Sequence, residues 1–364
     1  MFQVTSVGLD VHACSVVAHG VNRETGEVFD RYFGKDHGDG EVVAWVGGLP
    51  GPAVACYEAG PTGYGLARAF TQAGIDCLVA APSRLLRAPG DRVKTDKNDA
   101  AHLSVLLAAG GVTPVRVPSI EEEALRDLLR AREDVRADLM RVRHRVSKLL
   151  LRHGVVYDGK TTWNLTHLDW LAHQHFDQPA TQIAMDDALA AVTQATAREK
   201  HLDEQLEELL PGSGYQPVVD ALSCLRGVST LTGFGLAVEI GDWSRFTRST
   251  IGAYLGLVPS EHSSGQTRSQ GGVTKTGNQH ARRLLVEAAW HHRLDYRPGA
   301  SARLRRQWDR VDPRIQARAD EANRRLHRQW VKFDARKKRP VAANTAVARE
   351  LAGFCWSLAM MATR

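Results

Sequence analysis

The first 109 residues alternate between short β-patterned runs and helical ones, and no other feature constrains the fold as much. Residues 3–11 alternate apolar and polar side chains around Asp10, residues 14–21 form a second such run and 27–33 a third, with turn-forming residues between Asn22 and Gly26. The patterns then predict a short helix over 40–47, a buried strand over 53–58 ending at Glu58, a helix over 62–73, a strand over 75–80 and a helix over 96–109. The order βββαβαβα suits a mixed sheet with helices on its faces.

Beyond it the pattern becomes helical. Residues 121–153 form one long helix in which Leu125, Leu128, Arg132, Val135, Leu139, Val142, Val146 and Leu149 follow an alternating three–four spacing. That is a heptad seam with one polar interruption, at Arg132. A second helix over 183–209 has a poorer seam, so the two predict an antiparallel hairpin, a dimerising coiled coil or an intramolecular bundle. Pro211 to Gly214 mark a linker. Residues 216–258 then read as helix, turn, helix and a further short helix. The turn containing Gly227 and Gly233 has the look of a helix-hairpin-helix element, which presents backbone N–H groups to phosphates. The fold class is therefore α/β plus all-α, in three domains: 1–118, 119–210 and 211–364.

Composition excludes several classes. The 364 residues are 43% hydrophobic and 24% charged, which is ordinary for a soluble globular chain. The five scattered cysteines include no C-x-x-C pair, so neither a disulfide framework nor a structural zinc is expected, and a reducing cytosol fits. No signal-peptide pattern opens the chain, and the apolar stretch 341–362 is interrupted by Arg349 and Glu350, so no membrane partner is expected. The net charge of +6 is unevenly distributed: residues 301–340 alone hold fourteen Lys/Arg against five Asp/Glu. Arg336, Lys337 and Lys338 there read as a phosphate-contacting patch or as a solvated helix face.

Four acidic residues stand in short signatures: Asp10 in G-L-D-V-H, Glu58 in Y-E-A-G, and Asp96 and Asp99 in K-T-D-K-N-D-A. Carboxylates from separate elements can hold two divalent metals roughly 3.5–4 Å apart, the arrangement that stabilises attacking and leaving oxygens in phosphoryl transfer. Asp96 and Asp99 are three apart, so a helix places both on one face. His12 shares a strand face with Asp10, whereas Tyr57 reads as core. The plainer alternatives are a turn cap for Asp10, a strand-end charge for Glu58, a helix N-cap for Asp96 and first-turn dipole compensation for Asp99. Lys94 and Lys97 flank the pair as candidate nucleic-acid contacts.

Residues 255–289 place Ser263, Ser264 and Gly265 in a Gly/Ser-rich loop that leads into a helix starting near Asn278. Arg268, Lys275, Arg282 and Arg283 surround the serines with positive charge, and Gly271, Gly272 and Gly277 allow backbone to approach a phosphate. A serine hydroxyl needs such an environment to act as a nucleophile. Its plain alternative is a loop residue, and without a G-x-S-x-G elbow an esterase triad is poorly supported.

Together these signatures resemble the DEDD-type transposases of the "one-ten" insertion-sequence family, related to the pilin-gene inversion recombinase. The resemblance runs from G-L-D-V-H through Y-E-A-G-P-T-G-Y-G-L and D-R-V-K-T-D-K-N-D-A to Y-L-G-L-V-P-S, S-S-G, G-G-V-T-K-T-G-N and A-R-R-L-L-V-E-A-A. It implies an N-terminal RuvC-like domain of ribonuclease-H-like fold, a coiled coil and a C-terminal transposase domain. It implies Mg²⁺, or Mn²⁺, at Asp10, Glu58, Asp96 and Asp99. It also implies a serine that forms a covalent link to DNA, a role that falls to Ser264 before Gly265, with Ser263 as runner-up. A structured bridge RNA that guides the enzyme to donor and target DNA is implied as well. So are dimers pairing into tetramers, with active sites shared between protomers. The resulting expectation is a cytoplasmic, RNA-guided DNA recombinase. Two alternatives remain: a junction-resolving nuclease that uses water as nucleophile, and a non-enzymatic nucleic-acid-binding scaffold.

Overall fold

The computed structural model describes residues 4–86, 95–261, 263–264, 269–299 and 301–363. Contacts divide the chain into two compact units, Met1–Ser119 and Ile120–Arg364.

The first unit is mixed α/β. Strands β1 (Thr5–His12), β2 (Ser15–Asn22) and β3 (Val28–Phe33) form an antiparallel meander, followed by helix α1 (Asp39–Gly47), β4 (Ala53–Glu58), α2 (Gly65–Gln72), β5 (Cys77–Ala80) and α3 (Asp96–Ala108). The sheet order is β3-β2-β1-β4-β5, with β4 and β5 parallel to β1. Alternation sorts the side chains onto two faces. Val7, Leu9, Ala55, Tyr57 and Val79 pack against Val42 and Val46 of α1 and Phe70 of α2. The opposite face carries Cys56 and Ala80 beneath Leu103 and Leu107 of α3. Gly8 sits on this second face, where a Cβ would lie 2.0 Å from the Ala100 carbonyl oxygen. The missing side chain lets α3 dock directly on β1.

The second unit is mainly helical. Its long helix α4 (Ile120–Arg152) turns through α5 (Leu165–Ala172) into α6 (Pro179–Leu209), which runs antiparallel to α4. Leu139, Val146, Leu149 and Leu150 of α4 pack on Leu171, Met185 and Val192. The polar interruption is satisfied inside this hairpin: Arg132 donates from Nε and Nη2 to the two carboxylate oxygens of Asp203 at 2.6 and 3.2 Å, and lies 3.2 Å from Glu199. The α4 seam thus meets a partner within its own chain.

Helices α7 (Gln216–Ser223), α8 (Thr230–Ile240), α9 (Ile251–Tyr254), α10 (Gln279–Ala289), α11 (Ala302–Trp308), α12 (Pro313–Ala335) and α13 (Pro340–Ala362) complete the unit, with a hairpin of β6 (Pro259–Glu261) and β7 (Gln270–Val273) between α9 and α10. Phe234, Leu236, Leu285, Leu326, Leu351 and Phe354 form its core. Two expectations are corrected. Gly233 lies inside α8, not in the turn before it, and Ser229 caps that helix by accepting from Thr232 N at 3.0 Å. The Gly/Ser-rich stretch is flanked by a short strand pair, with Ser263 and Ser264 between the two strands and Gly271 and Gly272 within β7. Among the described residues no helix is long and apolar enough to cross a membrane.

Candidate active site

Asp10 and Asp96 come together where α3 meets the end of β1, while Glu58 is not part of that close cluster. Because Gly8 abuts Ala100, the first turn of α3 falls beside the last residues of β1. His12 Nε2 lies 3.2 Å from Asp10 Oδ2 and 3.7 Å from Asp96 Oδ1, and one ligand atom from each of these three residues lies within 4.8 Å of the others. Asp99, three residues on, is near enough for its charge to act on Asp10. Leu9 pairs with Tyr57 in the parallel β1–β4 register, so Asp10 and Glu58 come next on the two strands and share the α3-facing side. Glu58 is exposed at the end of β4. The helix N-cap is Thr95, whose hydroxyl accepts from Asn98 N at 3.2 Å, so Asp96 is not the cap.

The charges of this corner act on one another. Burial pushes the Asp10 carboxyl above its ordinary range; His12 pulls it back, while the like charges of Asp96 and Asp99 push it further up. Carboxylate oxygens with one imidazole nitrogen fit a hard divalent ion such as Mg²⁺ or Mn²⁺. Beside the cluster, Lys97 Nζ lies 2.8 Å from Asp30 Oδ2, and His19 Nδ1 is 2.6 Å from Asp30 Oδ1. The hydrogen bond from Lys97 holds the Asp30 carboxyl below its ordinary range. Lys97 is therefore engaged within the protein. Lys94 lies outside the described residues.

In the second unit the two serines have different surroundings. Ser263 Oγ donates to Glu261 Oε1 at 2.9 Å and accepts from Ser269 N at 3.3 Å. Ser264 is exposed, and its hydroxyl has no partner among the described residues. Gly265 and Arg268 lie outside the described residues. Gly277 turns out to serve packing: with φ +68°, it lies where a Cβ would be 1.8 Å from the Tyr254 carbonyl oxygen. Arg282 Nη1 donates to the carbonyls of Leu255 and Thr276 at 3.1 and 2.8 Å, so it ties the segment before α10 to α9. Arg283 pairs with Glu287 at 2.9 Å and with Glu133. Lys275 remains exposed, at φ +55°.

Arg336, Lys337 and Lys338 form the exposed turn after α12. There Lys338 N donates to Phe333 O at 3.0 Å, and Lys337 takes the left-handed conformation at φ +52°.

One supporting network was not anticipated. Glu239 of α8 is 3% exposed, yet it accepts from Arg130 Nε and Nη2 at 2.9 and 3.1 Å and from Asn278 Nδ2 at 2.7 Å. Asn278 in turn caps α10 by accepting from Ala281 N at 2.9 Å. Burial alone would raise the Glu239 carboxyl, but the hydrogen bonds from Arg130 and Asn278 hold it below its ordinary range. This network fixes the helix that follows the serine hairpin. Its sequence signal was a lone acid in the apolar run F-G-L-A-V-E-I.

Comparison with known proteins gives these clusters a context. Residues 219–305 match the transposase IS116/IS110/IS902 family, and residues 7–154 match a second family, described as transposase. The "Putative transposase y4qE" of Sinorhizobium fredii is 41% identical over 363 residues, covering 97% of this chain and 88% of the relative. The transposase for insertion sequence element IS1533 of Leptospira borgpetersenii is 32% identical over 256 residues, 68% of this chain and 72% of the relative. The transposase for insertion sequence element IS1328 of Yersinia enterocolitica is 24% identical over 315 residues, 83% of this chain and 88% of the relative. At that identity and coverage, the chain belongs to the IS116/IS110/IS902 family of transposases.

Proposed function

We propose that this transposase cuts and rejoins DNA through a covalent serine–DNA intermediate, with a divalent metal at its carboxylates and a bridge RNA as guide. The observation that carries the reading is the convergence of Asp10, His12 and Asp96, with Asp99 close by, in a chain of transposase lineage. Asp10, Glu58, Asp96 and Asp99 would hold the metal, whose chemistry when bound is charge stabilisation on the oxygens of the scissile phosphate. Asp10 presents its carboxylate from a rigid strand, and the α3 first turn brings Asp96 and Asp99 to the same corner. His12 orients Asp10 and Asp96 through its ring nitrogen.

Ser264 is the nucleophile. Its Oγ bonds to the scissile phosphorus as the bond to one sugar oxygen breaks, and the hydroxyl proton leaves by way of that oxygen. Attack by a strand end on the phosphoserine reverses the step and joins the new partner. The Ser264 hydroxyl, which has no partner among the described residues, against one engaged by Glu261 at Ser263, supports this choice. Lys275, Lys94, Arg268 and the exposed turn Arg336–Lys338 serve the DNA backbone; Lys97, Arg282 and Arg283 are weaker candidates, because they already have intramolecular partners. In this reading residues 1–118 are the catalytic domain and 119–210 a helical linker that pairs protomers. Residues 211–364 are the serine-bearing domain, and tetramers bring donor and target together.

The test is strand cleavage of DNA carrying the element's ends, with three treatments: chelation, ribonuclease and Asp10→Asn. Each is expected to abolish cleavage. Cleavage that survives chelation removes the metal from the account, and cleavage that survives ribonuclease removes the guide.

A further inference from the structure

Helices α9 and α13 of the second unit meet at two glycines, and each glycine carries an arginine from the other segment. A Cβ on Gly252 of α9 would lie 3.0 Å from Cγ of Arg349, which belongs to α13. A Cβ on Gly353 of α13 would lie 3.0 Å from Cγ of Arg248, which precedes α9. Each aliphatic stem therefore lies against the backbone of the opposite segment. Glycine inside a helix is destabilising relative to alanine, and at Gly353 it makes room for a stem that alanine would displace.

Both arginines line a surface hollow of about 240 Å³, with Ser249, Arg325 and Glu350 among its other walls. Glu350 is the acid in this lining, and Arg325 already pairs with it. Arg248 and Arg349 are exposed and have no carboxylate or hydrogen-bond partner among the described residues. Arg248 is also held over the buried Phe354 ring, 5.5 Å from its centroid. Two arginines without a carboxylate partner among the described residues therefore line one hollow, whose acid, Glu350, is paired with Arg325. Neighbouring arginines on α12 show the contrast: Arg318, Arg324 and Arg325 all have carboxylate partners.

We propose that this hollow is a binding site for a backbone phosphodiester of nucleic acid, gripped by Arg248 and Arg349. Planar guanidinium groups present several donors in a fixed fork, and that geometry matches phosphate oxygens. Ser249 also lines the hollow, its hydroxyl 2.9 Å from the Thr247 hydroxyl. Stems seated on glycine hold the forks ready, so little side-chain freedom is lost on binding. The proposal deepens the nucleic-acid-binding reading given above and rests on it.

The test is fluorescence anisotropy of the full-length protein with a labelled DNA duplex and, separately, a labelled RNA duplex of the same sequence, across a salt series. The variants are Arg248→Gln with Arg349→Gln and, as a charge-matched control on the exposed face of α4, Arg145→Gln with Lys148→Gln. A third variant, Arg248→Lys with Arg349→Lys, keeps the charge and stems if the glutamine pair fails to fold. Each lost phosphate contact removes a slope of about 0.9 in log affinity against log salt on duplex DNA, or about eight-fold in affinity near 0.1 M. The glutamine pair is therefore expected to weaken binding by about sixty-fold and the lysine pair by less, with the control near wild type. Loss with DNA alone, RNA alone or both names the strand that occupies the hollow. If the glutamine pair binds like wild type or like the control, the hollow is not a phosphate site; if that pair fails to fold and the lysine pair binds like wild type, the guanidinium forks of Arg248 and Arg349 do not grip the phosphate. If wild-type protein binds neither duplex, the nucleic-acid reading itself fails.

Discussion

Replacing Gly8 by alanine should damage the carboxylate corner without touching a carboxylate. The added methyl group would lie 2.0 Å from the Ala100 carbonyl oxygen, 2.6 Å from Ser104 N and 2.9 Å from Leu103 Cβ. Two of these are backbone atoms of α3, which cannot rotate away, so the helix must lift from β1 by an ångström or more. Overpacking of this kind costs about 1–3 kcal/mol, which for a unit of this size lowers its Tm by about 5–15 °C. The larger effect is on the site. Asp96 and Asp99 ride on α3 while Asp10 and His12 stay on β1, so the lift separates the two halves of the cluster. A misplacement of about 1 Å can cost on the order of a hundred-fold in rate. Scanning calorimetry and DNA cleavage measured on the same preparation, below the lowered Tm, separate the two effects. Gly20→Ala on the adjoining strand is the control, because its Cβ would find its nearest atom at 3.4 Å. If Gly8→Ala keeps wild-type stability and cleavage, α3 does not seat the site as described.

Three further outcomes follow from the same structure. Mg²⁺ should raise the Tm of wild-type protein but not of Asp10→Asn, with about 2.7 kcal/mol of stabilisation at a hundred-fold excess over Kd; equal shifts in both proteins would place the ion elsewhere. Arg130→Ala should cost about 1–3 kcal/mol at neutral pH by leaving the Glu239 carboxylate buried with fewer donors. Since the folded state holds Glu239 below its ordinary range, its stabilising contribution is present above that range and disappears as pH falls through the folded value. The wild-type and Arg130→Ala stability curves should therefore converge in acid, and a constant gap would contradict the assignment. Lys337→Gly should stabilise the fold by about 1 kcal/mol, because the residue after the α12 C-cap sits at φ +52°, where glycine is unstrained. The same change should weaken DNA binding, and unchanged binding would mean that this turn does not contact the backbone.

The elements that carried periodic apolar side chains were legible in the sequence. The five strands of the first unit and helices α4 and α6 lie within a few residues of their expected ranges, because burial on one face enforces the pattern. Helix α5 was missed, although Asn164 caps it and Leu165, Leu168 and Leu171 mark a three-residue spacing; eight residues are too few for periodicity to stand out. The β6–β7 hairpin was missed because its strands, P-S-E and Q-G-G-V, have almost no apolar face and are held by backbone pairing. Gly233 was taken for a turn residue but lies inside α8, where a Cβ would be 3.4 Å from the Val219 carbonyl oxygen on α7, so its smallness serves helix packing.

The candidate site divides the same way. A charge in an apolar strand exposed Asp10, and strand parity exposed its relation to His12. The identical signal at Glu239 passed unused, because its partner Arg130 lies 109 residues away. Asp30, which engages Lys97, depends on the β2–β3 register and α3 docking together. For Arg282 the sequence shows a cation but not its acceptor, and the acceptors are carbonyls of the protein itself.

The central claim is that a serine of this chain becomes joined to DNA in a step that needs the carboxylates. The direct measurement is a denaturing gel of labelled donor and target DNA after incubation with Mg²⁺, copurified RNA and each of four proteins: wild type, Ser263→Ala, Ser264→Ala and Asp10→Asn. Protein-linked DNA is predicted for wild type and Ser263→Ala, and none for Ser264→Ala or Asp10→Asn. Free cleaved DNA with no protein attached, produced equally well by Ser264→Ala, would contradict the account and identify a hydrolytic nuclease.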